Sequence, residues 1–156
     1  MEVNDKVDFT LQDEQENTVH LSDFKGKPVV LFFYPKADTP GCTIEACGFR
    51  DTFKKLQKAG AVVLGISRDT PKAQKKFKEK FDLPYPLLAD VDEVVCKQFD
   101  VLKEKNMYGK KVIGIARTTF LIGPDQRIIK IFPKVTPEGH AEEVLAAIKE
   151  HSSAAK

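Results

Sequence analysis

At 156 residues the chain has the length of one domain and enough of it to bury a full core without staples. Hydrophobic residues are 42% and charged residues 31%, which excludes wholesale disorder and a collagen-like repeat. The 25 Lys and Arg against 23 Asp and Glu leave a formal charge of +2, so charge gives no reason to expect a nucleic-acid or membrane partner.

The opening Met1-Glu2-Val3-Asn4-Asp5-Lys6 is neither basic nor apolar, so a secretory signal is not expected and the cytoplasm is the expected location. Phe9 and Leu11, then Val19 and Leu21, predict a short N-terminal β-hairpin turning through residues 12–18. Residues 28–34 form a continuous apolar run, the pattern of a strand buried on both faces. A breaker-rich loop follows over 35–41, and then Phe49, Phe53 and Leu56 recur at helical spacing, with Gly60 as the stop. Residues 61–67 predict a second buried strand. Thr70 and Pro71 open a second helix, Thr70 as N-cap and Pro71 at its first position, with Ala73, Phe77 and Phe81 inside.

Residues 87–89 predict a brief strand and 93–99 a short helix, and the polar stretch 103–111 is expected to be an exposed loop. Two strands, 118–122 and 127–132, flank a turn at 123–126. A last helix is expected to start at Thr136-Pro137-Glu138 and to bury Ala141, Val144, Leu145 and Ile148, before a frayed tail at 151–156. No repeat or change of composition divides the chain, so residues 1–156 are expected to form one α/β domain, a central mixed β-sheet flanked by helices on both faces.

The chemistry concentrates in the loop after the first buried strand. Cys42 lies where that loop opens a helix, and the unpaired N–H groups and dipole of a helix N-terminus stabilise a thiolate. Thr39, three residues earlier, can offer its hydroxyl to a substrate oxygen or serve only as the N-cap. Cys47 follows Cys42 by five residues, a spacing that suits neither a zinc knuckle nor the Cys-x-x-Cys of a thioredoxin-type reductase. Two unequal cysteines suit a different scheme, in which a small oxidant converts one to a sulfenic acid and the other resolves it to a disulfide.

The stretch from Phe33 to Asp51, with Pro35, Thr39 and Cys42 in the order Pro-x-x-x-Thr-x-x-Cys, resembles the active-site segment of the Q-type peroxiredoxins, the bacterioferritin comigratory protein subfamily. Arg117-Thr118-Thr119-Phe120-Leu121-Ile122 resembles the family's strand with its active-site arginine, and the similarity runs over essentially the whole chain. The resemblance implies a thioredoxin-like fold with an N-terminal β-hairpin extension. It also implies a peroxidase for hydrogen peroxide and organic hydroperoxides that needs no metal, haem or flavin and is recycled by thioredoxin or a similar dithiol reductant.

On the same footing Cys42 becomes the peroxidatic cysteine and Cys47 its in-chain resolving partner, joined to it as a disulfide during turnover, so a monomer is expected. Thr39 would bond the thiolate and the peroxide, Arg117 would stabilise the thiolate and the departing oxygen, and Pro35 would shield the site. Gly41 would keep the backbone open before the sulfur, and Glu45 would orient the arginine, although the subfamily varies there. Two rivals remain at this point, a disulfide reductase, which would reduce insulin, and a redox sensor, which would be oxidised once without turnover.

The remaining candidates read more plainly. Arg117 could otherwise be a surface charge; Cys96 is expected to be a packed small hydrophobe. Lys72, Lys75, Lys76, Lys78 and Lys80 form the solvated face of the second helix, and the three histidines carry no assigned role. If Cys42 and Cys47 share one regular helix, their Cα atoms lie about 8.7 Å apart. A disulfide needs roughly 4.4–6.8 Å, so the helix start would have to unwind for the bond to form.

Overall fold

The computed structural model describes residues 1–154. Its strands are β1 (Thr10–Asp13), β2 (Thr18–His20), β3 (Val29–Phe33), β4 (Val62–Ser67), β5 (Leu87–Ala89), β6 (Leu102–Met107), β7 (Lys110–Ile115), β8 (Thr118–Ile122) and β9 (Ile128–Phe132). The helices are α1 (Pro40–Lys58), α2 (Pro71–Phe81), α3 (Val94–Gln98) and α4 (His140–Ala154), with a 3-10 turn at Leu21–Phe24.

Seven strands form one mixed sheet in the order β2-β1-β5-β4-β3-β8-β9. Strand β3 runs parallel to β4, and β4 to β5, while β8 pairs antiparallel with β3 and β9 with β8. Every residue of β3 and β8 is buried, because both faces of the sheet centre are covered, and this explains the unbroken apolar run of β3. On one face Phe32 and Val30 pack with Phe49 and Leu56 of α1, Phe77 of α2 and Val144 of α4. On the other, Leu31 and Phe33 pack with Val95 of α3, Leu21 of the 3-10 turn and the N-terminal Val7 and Phe9. The Phe32 and Phe49 rings stack at 4.7 Å and seat α1 on the sheet; truncating either to Ala is expected to cost about 3–5 kcal/mol.

The N-terminal hairpin forms as expected and joins the sheet through β1, which pairs antiparallel with β5. Helix α2 starts as its sequence dictates: Thr70 Oγ1 accepts from the Ala73 N–H at 3.2 Å, and Pro71 occupies the first turn.

Two boundaries differ from the sequence reading. Residues 103–111 are not a loop but most of the β6–β7 hairpin, a separate two-stranded sheet. Its turn uses Tyr108 and Gly109, both at positive φ (52° and 79°), the backbone that a two-residue hairpin turn requires. Lys103, Glu104, Lys110 and Lys111 are all exposed, so no apolar alternation marks these strands. Helix α4 begins at His140 rather than at Thr136, after Gly139 turns the chain at φ +76°. Helix α4 also carries helical backbone through Ala154, into the segment expected to fray, and residues 155–156 lie outside those described.

Candidate active site

The site is built where β3 ends and α1 begins. The connecting loop is held from below by a buried polar chain: the Tyr34 hydroxyl donates to Gln74 Oε1, and Gln74 Nε2 donates to Ser67 Oγ (3.0 Å) and to the Leu88 carbonyl (2.9 Å). Ser67 Oγ donates to Asp69 Oδ2 (2.6 Å), which also accepts from the Ala37 N–H (2.8 Å). Lys80 clamps Asp38 of the same loop through both carboxylate oxygens, at 2.9 and 3.1 Å. These contacts tie the loop to the ends of β4 and α2; the sequence reading gave Lys80 only a place on the solvated face of α2 and gave Gln74 none.

Thr39 has the extended backbone of an N-cap, but its hydroxyl donates to the Lys36 carbonyl (2.8 Å) and caps no helical N–H. Pro40 takes the first helical position, where its missing N–H is no loss, and the Thr43 N–H closes the first turn on the Thr39 carbonyl. Cys42 therefore sits in the first turn of α1, only 1% exposed, with its sulfur inside the protein. Pro35 is half-buried at the exit of β3, in the same loop.

Arg117 reaches this turn from the far end of the chain. The pairing of Phe33 with Thr118 brings the start of β8 beside the end of β3, and Arg117 immediately precedes that pair. The Arg117 carbonyl accepts from the Val135 N–H at 3.1 Å, which fixes the backbone. Its Nη2 donates to Cys42 Sγ at 3.3 Å and its Nη1 to Glu45 Oε1 at 2.9 Å. Glu45, three residues after Cys42, lies on the same helical face, so one planar guanidinium spans both. Of the two readings for Arg117, a surface charge is thereby excluded: its side chain is 16% exposed and directed at the sulfur.

Glu45 is fully buried, and its Oε2 has no protein partner. Burial raises its carboxyl to about 7, and the adjacent Arg117 charge offsets only part of that. Burial also works against the Arg117 charge, but Glu45 and Cys42 together hold its pKa above the usual value, so Glu45 is the member of the pair that titrates. Gly41 has a steric reason to be glycine: a Cβ there would stand 3.0 Å from Arg117 Nη2.

The geometry thus gathers Cys42, Arg117, Glu45 and Gly41. Cys47 lies apart from them, further along the unbroken α1 and half-buried. Burial pushes its thiol up, with Arg50 opposing and Asp51 reinforcing. Cys96 is buried in α3, where burial first and Asp90 second hold its thiol far above the usual range, the behaviour of a packed and unreactive cysteine. His140, assigned no role from sequence, is buried between Phe49 and Phe132 with Nε2 2.8 Å from Thr119 Oγ1. A fixed cation on a shielded sulfur at a helix start favours a thiolate attacking an electrophile small enough to enter.

The AhpC/TSA family model matches residues 3–131. A putative peroxiredoxin Bcp of Coxiella burnetii is 53% identical over 140 residues, covering 90% of this chain and 93% of that protein. The peroxiredoxin Bcp of Bacillus subtilis is 44% identical over 153 residues, covering 97% and 98%. Among solved structures, a cysteine-to-serine mutant of Xylella fastidiosa PrxQ superposes with a TM-score of 0.93 at 41% identity, covering 97% of this chain and 98% of that one. The Xanthomonas campestris bacterioferritin comigratory protein, studied for alkyl peroxide reduction, superposes with a TM-score of 0.87 at 43% identity, covering 92% and 91%.

Proposed function

The chain belongs to the AhpC/TSA family as a Bcp-type peroxiredoxin, a thiol-dependent peroxidase, and from that premise we propose how its own residues divide the reaction. The Cys42 thiolate attacks one oxygen of hydrogen peroxide or an organic hydroperoxide. The S–O bond forms as the O–O bond breaks, and the departing oxygen takes a proton to leave as water or an alcohol, with Cys42 left as a sulfenic acid. Arg117 stabilises first the thiolate and then the charge on the departing oxygen, while Glu45 and Gly41 hold its guanidinium in line. Thr39 and Pro35 complete the entrance, Thr39 presenting its hydroxyl oxygen and Pro35 limiting water. The observation that carries this reading is the 3.3 Å contact of Arg117 Nη2 with Cys42 Sγ, braced on its other side by Glu45 at 2.9 Å.

Cys47 then attacks the Cys42 sulfur: the S–S bond forms, the S–O bond breaks, and the hydroxyl leaves as water with the Cys47 proton. Both cysteines lie on one regular helix, about 8.7 Å apart between Cα atoms by helical geometry. The start of α1 therefore unwinds before the bond closes. Unwinding also takes Cys47 out of the surroundings that raise its thiol, and so activates it as a nucleophile. The exposed disulfide is returned to two thiols by a thioredoxin-like dithiol. With both cysteines in one chain the enzyme works as a monomer, and its proposed home is the cytoplasm, where such a reductant is kept reduced.

The test is peroxide consumption driven by a thioredoxin system. Cys42→Ser should be inactive. Cys47→Ser should form one sulfenic acid and then stall or overoxidise, and Cys96→Ser should keep wild-type turnover. A folded but inactive Cys96→Ser protein would overturn the assignment of Cys47 as resolver.

A further inference from the structure

The unwinding of α1 has to break specific contacts, and two of them lie on either side of Cys47. The Tyr85 hydroxyl donates to the Ala46 carbonyl at 2.6 Å, and Arg50 Nη1 donates to the Phe81 carbonyl at 2.8 Å. Phe81 ends α2 and Tyr85 lies in the connection from α2 to β5, so one short segment grips α1 at positions 46 and 50, one helical turn apart. The Ala46 carbonyl has two lone pairs and can accept the phenol in addition to a helical N–H.

Tyr85 is rigidly presented. Pro84 and Pro86 flank it, and a residue before proline is confined to extended backbone. Its ring is 1% exposed and packs edge-on against Phe32 at 5.7 Å and tilted against Phe53 at 6.1 Å. Burial keeps the phenol far above its ordinary pKa, so it stays a neutral donor at every working pH.

We propose that the Tyr85 hydroxyl is a positioning group for the resolving step, holding Ala46 and therefore Cys47 in the helix and so setting how readily α1 opens to form the disulfide. The inference rests on the cycle proposed above. Ala46 lies between the two sulfurs, so its carbonyl moves when residues 42–47 leave the helix. The bond to Tyr85 is then lost and a buried hydroxyl stands without its partner, an arrangement that favours the closed helix. The Tyr85 hydroxyl is bonded to the Ala46 carbonyl, whereas the Cys42 sulfur is held by Arg117, so Tyr85 acts on the second step and not on the first.

Tyr85→Phe removes the hydroxyl and keeps the ring and its packing. Reduced protein is mixed with one equivalent of hydrogen peroxide, quenched by alkylation, and the sulfenic acid, disulfide and overoxidised forms are followed by mass. Disulfide formation should accelerate about three- to tenfold, the shift in opening that one lost hydrogen bond produces. The overoxidised fraction per turnover should fall in proportion, and the rate constant of sulfenic acid formation should stay within twofold. In a Cys47→Ser background the Tyr85 change should leave overoxidation unaltered, because no resolving step remains to compete. Amide exchange of residues 46–51 in the reduced protein should quicken, and thermal denaturation confirms that the variant is folded. A normal wild-type disulfide with no acceleration in Tyr85→Phe would overturn this inference alone. A wild type that forms no Cys42–Cys47 disulfide would overturn the proposed cycle and this inference with it.

Discussion

Gly41→Ala adds a single methyl group to the first turn of α1, and local and tertiary effects then act in opposite directions. For the helix, alanine is better than glycine by up to about 1 kcal/mol, so the variant should be no less stable than the parent. For the site, the new Cβ would stand 3.0 Å from Arg117 Nη2 and 3.7 Å from both Arg117 Cζ and Pro137 Cγ. Ordinary contact requires the guanidinium to retreat by roughly 0.4 Å. If that motion lengthens the 3.3 Å contact with Cys42 Sγ to about 3.7 Å, the Coulomb attraction falls by about 0.5 kcal/mol at an effective dielectric of ~20. A charge-assisted hydrogen bond is worth about 1.5–3 kcal/mol, and misalignment forfeits part of that as well. Together these remove about 1–2 kcal/mol of transition-state stabilisation, a five- to thirtyfold lower second-order rate constant with peroxide. Stopped-flow kinetics on the reduced protein, paired with chemical denaturation, reads both effects. A rate within twofold of the parent in a protein of equal or greater stability would show that Arg117 absorbs the methyl group and that its placement over Cys42 is not what Gly41 protects.

Two further substitutions test the charges themselves. Arg117→Ala should lower the peroxide rate constant by roughly 10², the ~3 kcal/mol of a fixed donor in a shielded site; an unchanged rate constant would remove Arg117 from the mechanism. Glu45, raised to about 7 by burial, holds a proton in the folded state that the unfolded chain has released, so its contribution to stability is fully present below about 4.5 and is lost as pH rises through 7. Relative to Glu45→Gln, the parent should therefore lose about 3 kcal/mol of unfolding free energy between pH 4 and pH 8; a parent-minus-variant difference that is flat with pH would refute the assignment.

The sequence by itself determined the parts of this protein that depend on neighbours along the chain. The apolar stretches at 28–34 and 61–67 read as buried strands, and β3 is buried throughout and β4 at all but its first residue. Pro35, Thr39 and Cys42 lie within one loop and one helical turn, so their spacing alone placed the sulfur at a helix start. Tertiary structure decided the rest. Arg117 meets Cys42 across 75 residues only because β3 and β8 pair in one register, Phe33 with Thr118. That closure also turned Gly41 from a loop-breaking residue into a clearance for a guanidinium. The β6–β7 hairpin left no trace in the apolar pattern because Lys103, Glu104, Lys110 and Lys111 are exposed and only its open end, at Leu102 and Ile115, packs on the core. The bonds from Gln74 and Tyr85 were equally illegible, since a buried polar side chain is specified by the partner it finds, and that partner exists only once the chain has folded.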